Sequence, residues 1–300
     1  MTAIHGITHG APSFDVPDSA CDCHVHVFGP YDRFPLWSGR RYTPGPASIE
    51  DLLALQRSLR LSRVVVVQAS PQGTDNACLV DALKRLPEGG SAARGVAVID
   101  AATTDAELQA MHAAGVRGVR VNLESQGESD PAAARRQLRE AAARAAPLGW
   151  HVQTYTTLPV LVSVADEIGA LPVPLVVDHF GRASAAGGTG QPGFGVLLEL
   201  VRSGKVWVKL SAVYRISDRA DGADAAALAQ ALAEANPDRM VWGTDWPHPG
   251  GGLGPRSPDV VEPFFPIDDG HALNRLHDWI GDPGRLAKIL VDNPARLYGF

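Results

Sequence analysis

The chain has 300 residues, 45% hydrophobic and 20% charged, and its 27 Lys and Arg against 33 Asp and Glu leave a formal net charge of −6. That mild acidity excludes a general nucleic-acid or anionic-membrane binder, which needs a basic footprint, so an anionic ligand must be held by a few placed cations. Cys21, Cys23 and Cys78 are too few for a disulfide framework; no apolar run of about 18 residues spans a membrane, and Met1–Ala20 has no basic start followed by an apolar core, which together read as a soluble cytoplasmic protein.

Residues 1–20 carry Gly, Pro and Ser without periodicity and read as an extended arm before one domain over 21–300. The stretch from Cys21 to Phe28 reads as a strand. Alternation puts Asp22, His24 and His26 on one face and Cys21, Cys23, Val25 and Val27 on the other. Two imidazoles a strand step apart can hold a metal or polarise a carbonyl, although such a pair alone is more often a polar strand face. The loop Gly29–Pro46 carries Tyr31, Phe34, Trp37 and Tyr42, which either pack it down or wall a pocket.

The chain then alternates. A helix over 47–60 leads to a strand over 63–69, and a helix over 75–86 to a strand over 94–100. Thr104 and Glu107 have capping-box spacing for the next helix, which leads to a strand over 116–122. Helices over 131–146, 158–169, 193–203 and 223–235 lead in turn to strands over 150–155, 174–179, 205–211 and 239–245, and the tail from His271 to Phe300 looks helical. Val-rich strands buried on both faces belong to parallel sheets. Eight such units predict a single α/β domain, a (β/α)8 TIM barrel, rather than an open doubly wound sheet. The segments after the strands are long (28–46, 123–130, 180–192, 212–222 and 246–269), so the active site is expected at the C-terminal strand ends.

Those ends carry His24 and His26, then Gln68 and Ser70, then Arg120 and Asn122, Tyr155, His179, Ser211 with Tyr214 and Arg215, and Asp245. Buried polar groups cost a few kcal/mol each unless paired, so their collection at one rim points to a site. Each also has a plainer account: a backbone hydrogen bond for His179, a turn cap for Asp245, a surface charge for Arg120 or Arg215, core packing for Tyr155. His248 reads as structural, and His5, His9, His112, His271 and His277 as surface residues. The facing of Lys209 is left open.

His24-Val-His26, Asp178-His179 and Trp242-Gly-Thr-Asp-Trp-Pro-His248 together resemble the amidohydrolase superfamily. The segments Cys21–Arg33, Arg40–Pro44, Val67–Ser70, Gly115–Arg120, Val177–Arg182, Val208–Ser211 and Asp292–Gly299 resemble its branch typified by 2-pyrone-4,6-dicarboxylate lactonase. The resemblance implies that Asp245 activates water, that His24, His26 and His179 polarise the scissile carbonyl, and that Ser70, Arg120, Tyr155 and Arg215 grip a substrate carboxylate. Strands four and five end here in Arg120 with Asn122 and in Tyr155, where metal-dependent members usually carry a Lys or Glu and a His. A guanidinium repels a divalent ion, so the two-metal form is not expected, and a metal-free site is preferred; one Zn2+ or Mn2+ on His24, His26 and Asp245 is the alternative. After Arg120 the lactonases carry a further basic residue, whereas Glu124 and Gln126 stand here, which suits a substrate with fewer carboxylates or another lactone. The reading is a hydrolase opening a lactone of a small carboxylated substrate, of 2-pyrone-4,6-dicarboxylate or sugar-acid type. The alternatives are a metal-dependent hydrolase or decarboxylase on the same barrel, and a non-catalytic binder of a small anion. No nucleic-acid or membrane partner is expected, and the oligomeric state is open.

Overall fold

The computed structural model describes residues 2–251 and 257–300, without the side chains of Ser125 and Gln126. The expectations for Gln126 and for part of the loop over 246–269 therefore fall outside the described residues. Eight parallel strands form one sheet in chain order: Cys21–Val25, Arg63–Val67, Ala92–Ala97, Val116–Asn122, His151–Tyr155, Leu175–Val177, Val206–Ser211 and Met240–Gly243. Val25 bridges in parallel to Trp246, just past the eighth strand. This is the (β/α)8 barrel predicted from the alternation.

The strands form where β-branched residues are shielded on both faces. Val64, Val65, Val66 and Val67 are all buried, and each such side chain contributes about 1.5–3 kcal/mol. Between strands, helices turn an apolar stripe inward. Ile49–Leu59 buries Ile49, Leu52, Leu55 and Leu59 behind a Ser48/Asp51 capping box. Thr104 and Glu107 cap Asp105–Ala113 reciprocally, as their spacing predicts. The helix expected over 158–169 is two, Leu158–Ser163 and Ala165–Ala170, broken at Val164. There the Ser163 hydroxyl bonds back to the Val160 carbonyl at 2.7 Å, competing with the helical ladder. The helical tail is likewise segmented, into Asp269–Ile280, Pro283–Ala287, a π turn over Lys288–Asp292 and Asn293–Tyr298.

The chain packs as two compact units, one of Met1–Val116, Thr244–Leu276 and Phe300, the other of Arg117–Gly243 and His277–Gly299. In the first, Thr2–Ile4 and Ile7–His9 pair as an antiparallel hairpin where the sequence suggested an extended arm. His5 and Gly6 turn it with φ of 54° and 76°, the left-handed pair a type I′ turn demands. In the loop after the first strand, the Tyr31 hydroxyl donates to the carbonyl of Pro44 at 2.8 Å, Tyr42 is buried and Trp37 is exposed. In the second unit Gly118 allows a close approach: a Cβ there would lie 2.4 Å from Nε2 of the buried His151. Among the described residues no helix is long and apolar enough to cross a membrane.

Candidate active site

In the first unit, Asp22 ties the first strand to the segment that follows the eighth. Its Oδ1 accepts from the backbone N–H of His24 at 3.1 Å and of Thr244 at 3.0 Å, and its Oδ2 from the Thr244 hydroxyl at 2.7 Å. Burial pushes the Asp22 carboxyl up to about 7, against these hydrogen bonds, which pull it down. The backbones then interlace: the Asp245 N–H donates to the His24 carbonyl at 2.9 Å and the His26 N–H to the Trp246 carbonyl at 2.8 Å. Asp245 is thereby held at φ 68°, a left-handed conformation costing about 1–2 kcal/mol in a residue with a side chain.

The result is a buried cluster, with His24, His26 and Asp245 only 0%, 3% and 1% exposed. Asp245 Oδ1 lies 3.4 Å from His24 Nε2 and 3.3 Å from His26 Nε2. His26 Nδ1 is 2.8 Å from the carbonyl of Val67. A carbonyl only accepts, so Nδ1 carries the hydrogen, and in a neutral ring Nε2 presents its lone pair to the carboxylate. Two lone pairs facing at that distance repel unless a proton or a cation lies between them. Ligand atoms of the three residues all lie within 4.8 Å of one another. A tetrahedral ion with bonds of about 2.05 Å spaces its ligands about 3.3 Å apart, so the set fits one divalent ion, and the Val67 carbonyl is the kind of outer partner that orients a ligating imidazole.

Around this cluster the polar side chains brace backbone. Gln68 Nε2 donates to the carbonyl of Asp75 at 2.7 Å, and Gln72 takes the N–H of Ala69 and donates to the carbonyl of Val27 at 3.0 Å. Ser70 is half-buried and opens the 3-10 turn Ser70–Gln72 at the end of the second strand. His9 is not a surface residue: it is buried, its Nδ1 3.3 Å from an Asp269 carboxylate oxygen, while His248 Nε2 approaches the same carboxylate at 3.1 Å. His9 ends the second strand of the N-terminal hairpin with its side chain buried, which periodicity alone does not reveal. His248, expected to be structural, is buried, and its N–H donates to the carbonyl of Asp245 at 2.8 Å.

The second unit assembles Arg120, Tyr155 and His179 with three residues that the sequence left open or overlooked: Gln153, Asp178 and Lys209. Arg120 pairs in register with Gln153. Asp178 Oδ2 accepts from Arg120 Nη2 at 2.9 Å and Nε at 3.3 Å, and from Gln153 Nε2 at 3.2 Å. Lys209 is fully buried, donates to Gln153 Oε1 at 2.8 Å and lies 3.8 Å from Asp178 Oδ1. Lys209 thus faces inward, and one carboxylate serves two cations. Period-two alternation from Ser211 is the signal that would have turned Lys209 inward. His179, at φ 51°, shares a 2.8 Å hydrogen bond with the Ser211 hydroxyl through Nδ1. The Tyr155 ring stands edge-on to His179 at 5.3 Å, and the guanidinium carbons of Arg120 and Arg182 each lie 5.7 Å from its centre. Arg215 is half-buried over the Tyr214 ring at 4.9 Å, and its carbonyl accepts from Arg182 Nη1.

Known proteins share this architecture. The chain is 39% identical to a 2-pyrone-4,6-dicarboxylate hydrolase from Comamonas testosteroni, over 96% of this chain and 92% of that one. It is 36% identical to a 4-sulfomuconolactone hydrolase from Rhizobium radiobacter with the same coverage. A crystal structure of a probable 2-pyrone-4,6-dicarboxylic acid hydrolase from Acinetobacter baumannii, with citric acid bound, superposes with a TM-score of 0.78 at 25% identity, covering 94% of this chain and 100% of that one. A family model described as Amidohydrolase matches residues 21–300. The chain belongs to the amidohydrolase family.

Proposed function

We propose that this protein is a hydrolase that opens the ring of a small carboxylated lactone. The observation that carries the reading is the buried Asp245 carboxylate facing two imidazole nitrogens at 3.3 and 3.4 Å. Asp245 takes a proton from water, and the hydroxide adds to the lactone carbonyl. His24 and His26 stabilise the oxyanion that develops, and His179 supplies a third imidazole for that carbonyl, as the family resemblance implies. Collapse breaks the ring C–O bond, and the departing oxygen takes the proton held by Asp245. Arg120, Arg215, Tyr155 and Ser70 are the residues assigned to a substrate carboxylate; a guanidinium is its natural bidentate partner. The named relatives act on 2-pyrone-4,6-dicarboxylate and 4-sulfomuconolactone, both small anionic lactones.

His24, His26 and Asp245 would hold one divalent cation such as Zn2+ or Mn2+, which when bound would acidify water and polarise the carbonyl. The lone-pair geometry at His26 favours this second reading over a site with only protons. The test is a panel of dicarboxylated and sugar-acid lactones, run with and without chelator, beside metal analysis of the purified protein. Turnover of one member is expected, with Asp245→Asn at least about 10³-fold slower and circular dichroism unchanged. An Asp245→Asn enzyme retaining a tenth or so of the activity, or tight binding across the panel with no turnover, would defeat the hydrolase reading. Stoichiometric metal and loss of activity to chelator decide for the ion; full activity in chelator decides against it.

A further inference from the structure

Next to the Arg120–Asp178 pair lies a second guanidinium, Arg182, neutralised by a residue that the mechanism does not use. Glu124 Oε1 is 2.9 Å from Arg182 Nη2. Its other oxygen, Oε2, is shielded and accepts no hydrogen bond from the described residues. The guanidinium of Arg182 packs against the Tyr155 ring that Arg120 also contacts, at 5.7 Å in each case. Two cations therefore border one aromatic ring, and each has its own carboxylate partner, Asp178 for Arg120 and Glu124 for Arg182.

The two carboxylates differ in their surroundings. Asp178 is fully buried and is shared between Arg120 and Lys209. The Arg182–Glu124 pair is neutral, and both side chains are partly exposed, at 24% and 22%. A carboxylate arriving beside Arg182 would have to displace Glu124 and would meet a like charge. A hydroxyl there would donate to the part-exposed Glu124 carboxylate and meet no repulsion.

We propose that Glu124 sets the specificity of this site, by cancelling Arg182 as a second anion subsite and accepting a hydroxyl in its place. The substrate class is a lactone with one carboxylate and a hydroxyl-bearing ring rather than a dicarboxylated pyrone. The proposal rests on the lactonase reading for its substrate and on the Glu124–Arg182 contact for its selectivity, and the two can be tested apart.

Two inert ring acids, 3-hydroxybenzoate and isophthalate, are titrated calorimetrically into the wild type, Glu124→Gln and Glu124→Gln/Arg182→Met. The kcat/KM values for hydroxylated monocarboxylated and for dicarboxylated lactones are measured beside them. The wild type is expected to favour 3-hydroxybenzoate and the hydroxylated lactones. Glu124→Gln should move both preferences toward the dicarboxylates by about tenfold or more, the size of one charge-assisted hydrogen bond, and through KM. Adding Arg182→Met should cancel that gain. A preference that moves by less than about twofold in Glu124→Gln, or a gain that survives the loss of Arg182, overturns the proposal. If no lactone is turned over, the hydrolase reading fails while the two ring acids still decide the role of Glu124.

Discussion

Replacing Lys209 by Met probes the buried network directly. Lys209 is completely enclosed, 2.8 Å from Gln153 Oε1 and 3.8 Å from Asp178 Oδ1. At an effective dielectric of about 20, unit charges at that separation attract by about 4 kcal/mol. Methionine fits the volume and relieves the cost of burying an ammonium, which offsets part of the loss. Asp178 keeps Arg120 at 2.9 Å and Gln153 at 3.2 Å, so the outcome sits at the low end for one-sided removal of a buried charge, about 3 kcal/mol. Urea unfolding followed by tryptophan fluorescence and far-UV circular dichroism measures it, provided the two transitions coincide. The double variant with Asp178→Asn should cost less than the two single losses added, because the pair is coupled. A Lys209→Met protein as stable as the parent would show that the ammonium contributes nothing net and would refute the network argument.

Three further outcomes are expected. His151 is pushed down to about 3, by burial first and by the Lys209 charge second. Its folded value lies below the unfolded one, so stability is intact above about pH 6.5 and falls by about 1.4 kcal/mol per unit as the pH drops from there toward 3, or about 2 kcal/mol at pH 5. His151→Phe should flatten that slope in denaturant titrations at pH 7 and 5, and an unchanged slope would assign the acid sensitivity elsewhere. Gly118→Ala places a Cβ 2.4 Å from the His151 ring, which should cost about 1–3 kcal/mol by overpacking; a melting temperature within a degree or so of the parent's would contradict the close approach. Asp269→Asn removes the charge between His9 and His248, 3.3 and 3.1 Å away, and should cost about 1–3 kcal/mol. It should also lower kcat on whichever lactone is turned over, since His248 braces the turn carrying Asp245; parent-like kcat and stability together would remove that role.

The alternation of Val-rich strands with helices was enough to read the barrel, because a strand buried on both faces needs apolar residues at every position, and a helix needs them every three to four. The strand Val116–Asn122 and the capped helix Asp105–Ala113 fall where their spacing put them. Motif spacing likewise singled out His24, His26 and Asp245; the first unit brings Asp245 within 3.4 Å of each imidazole, across more than 200 residues of chain. Pairings that depend on which chemically similar partner comes near were not readable. Arg120 was readable as a cation at the rim, but its contact with Asp178 was not. His9 could have been a surface imidazole, but it is buried against Asp269. Arg182 could have been one of several rim arginines, but Glu124 neutralises it. Sequence determines the period and burial of each element because those are local properties of the backbone. Which charge meets which is decided by distances between segments far apart in the chain, and only the folded packing sets those.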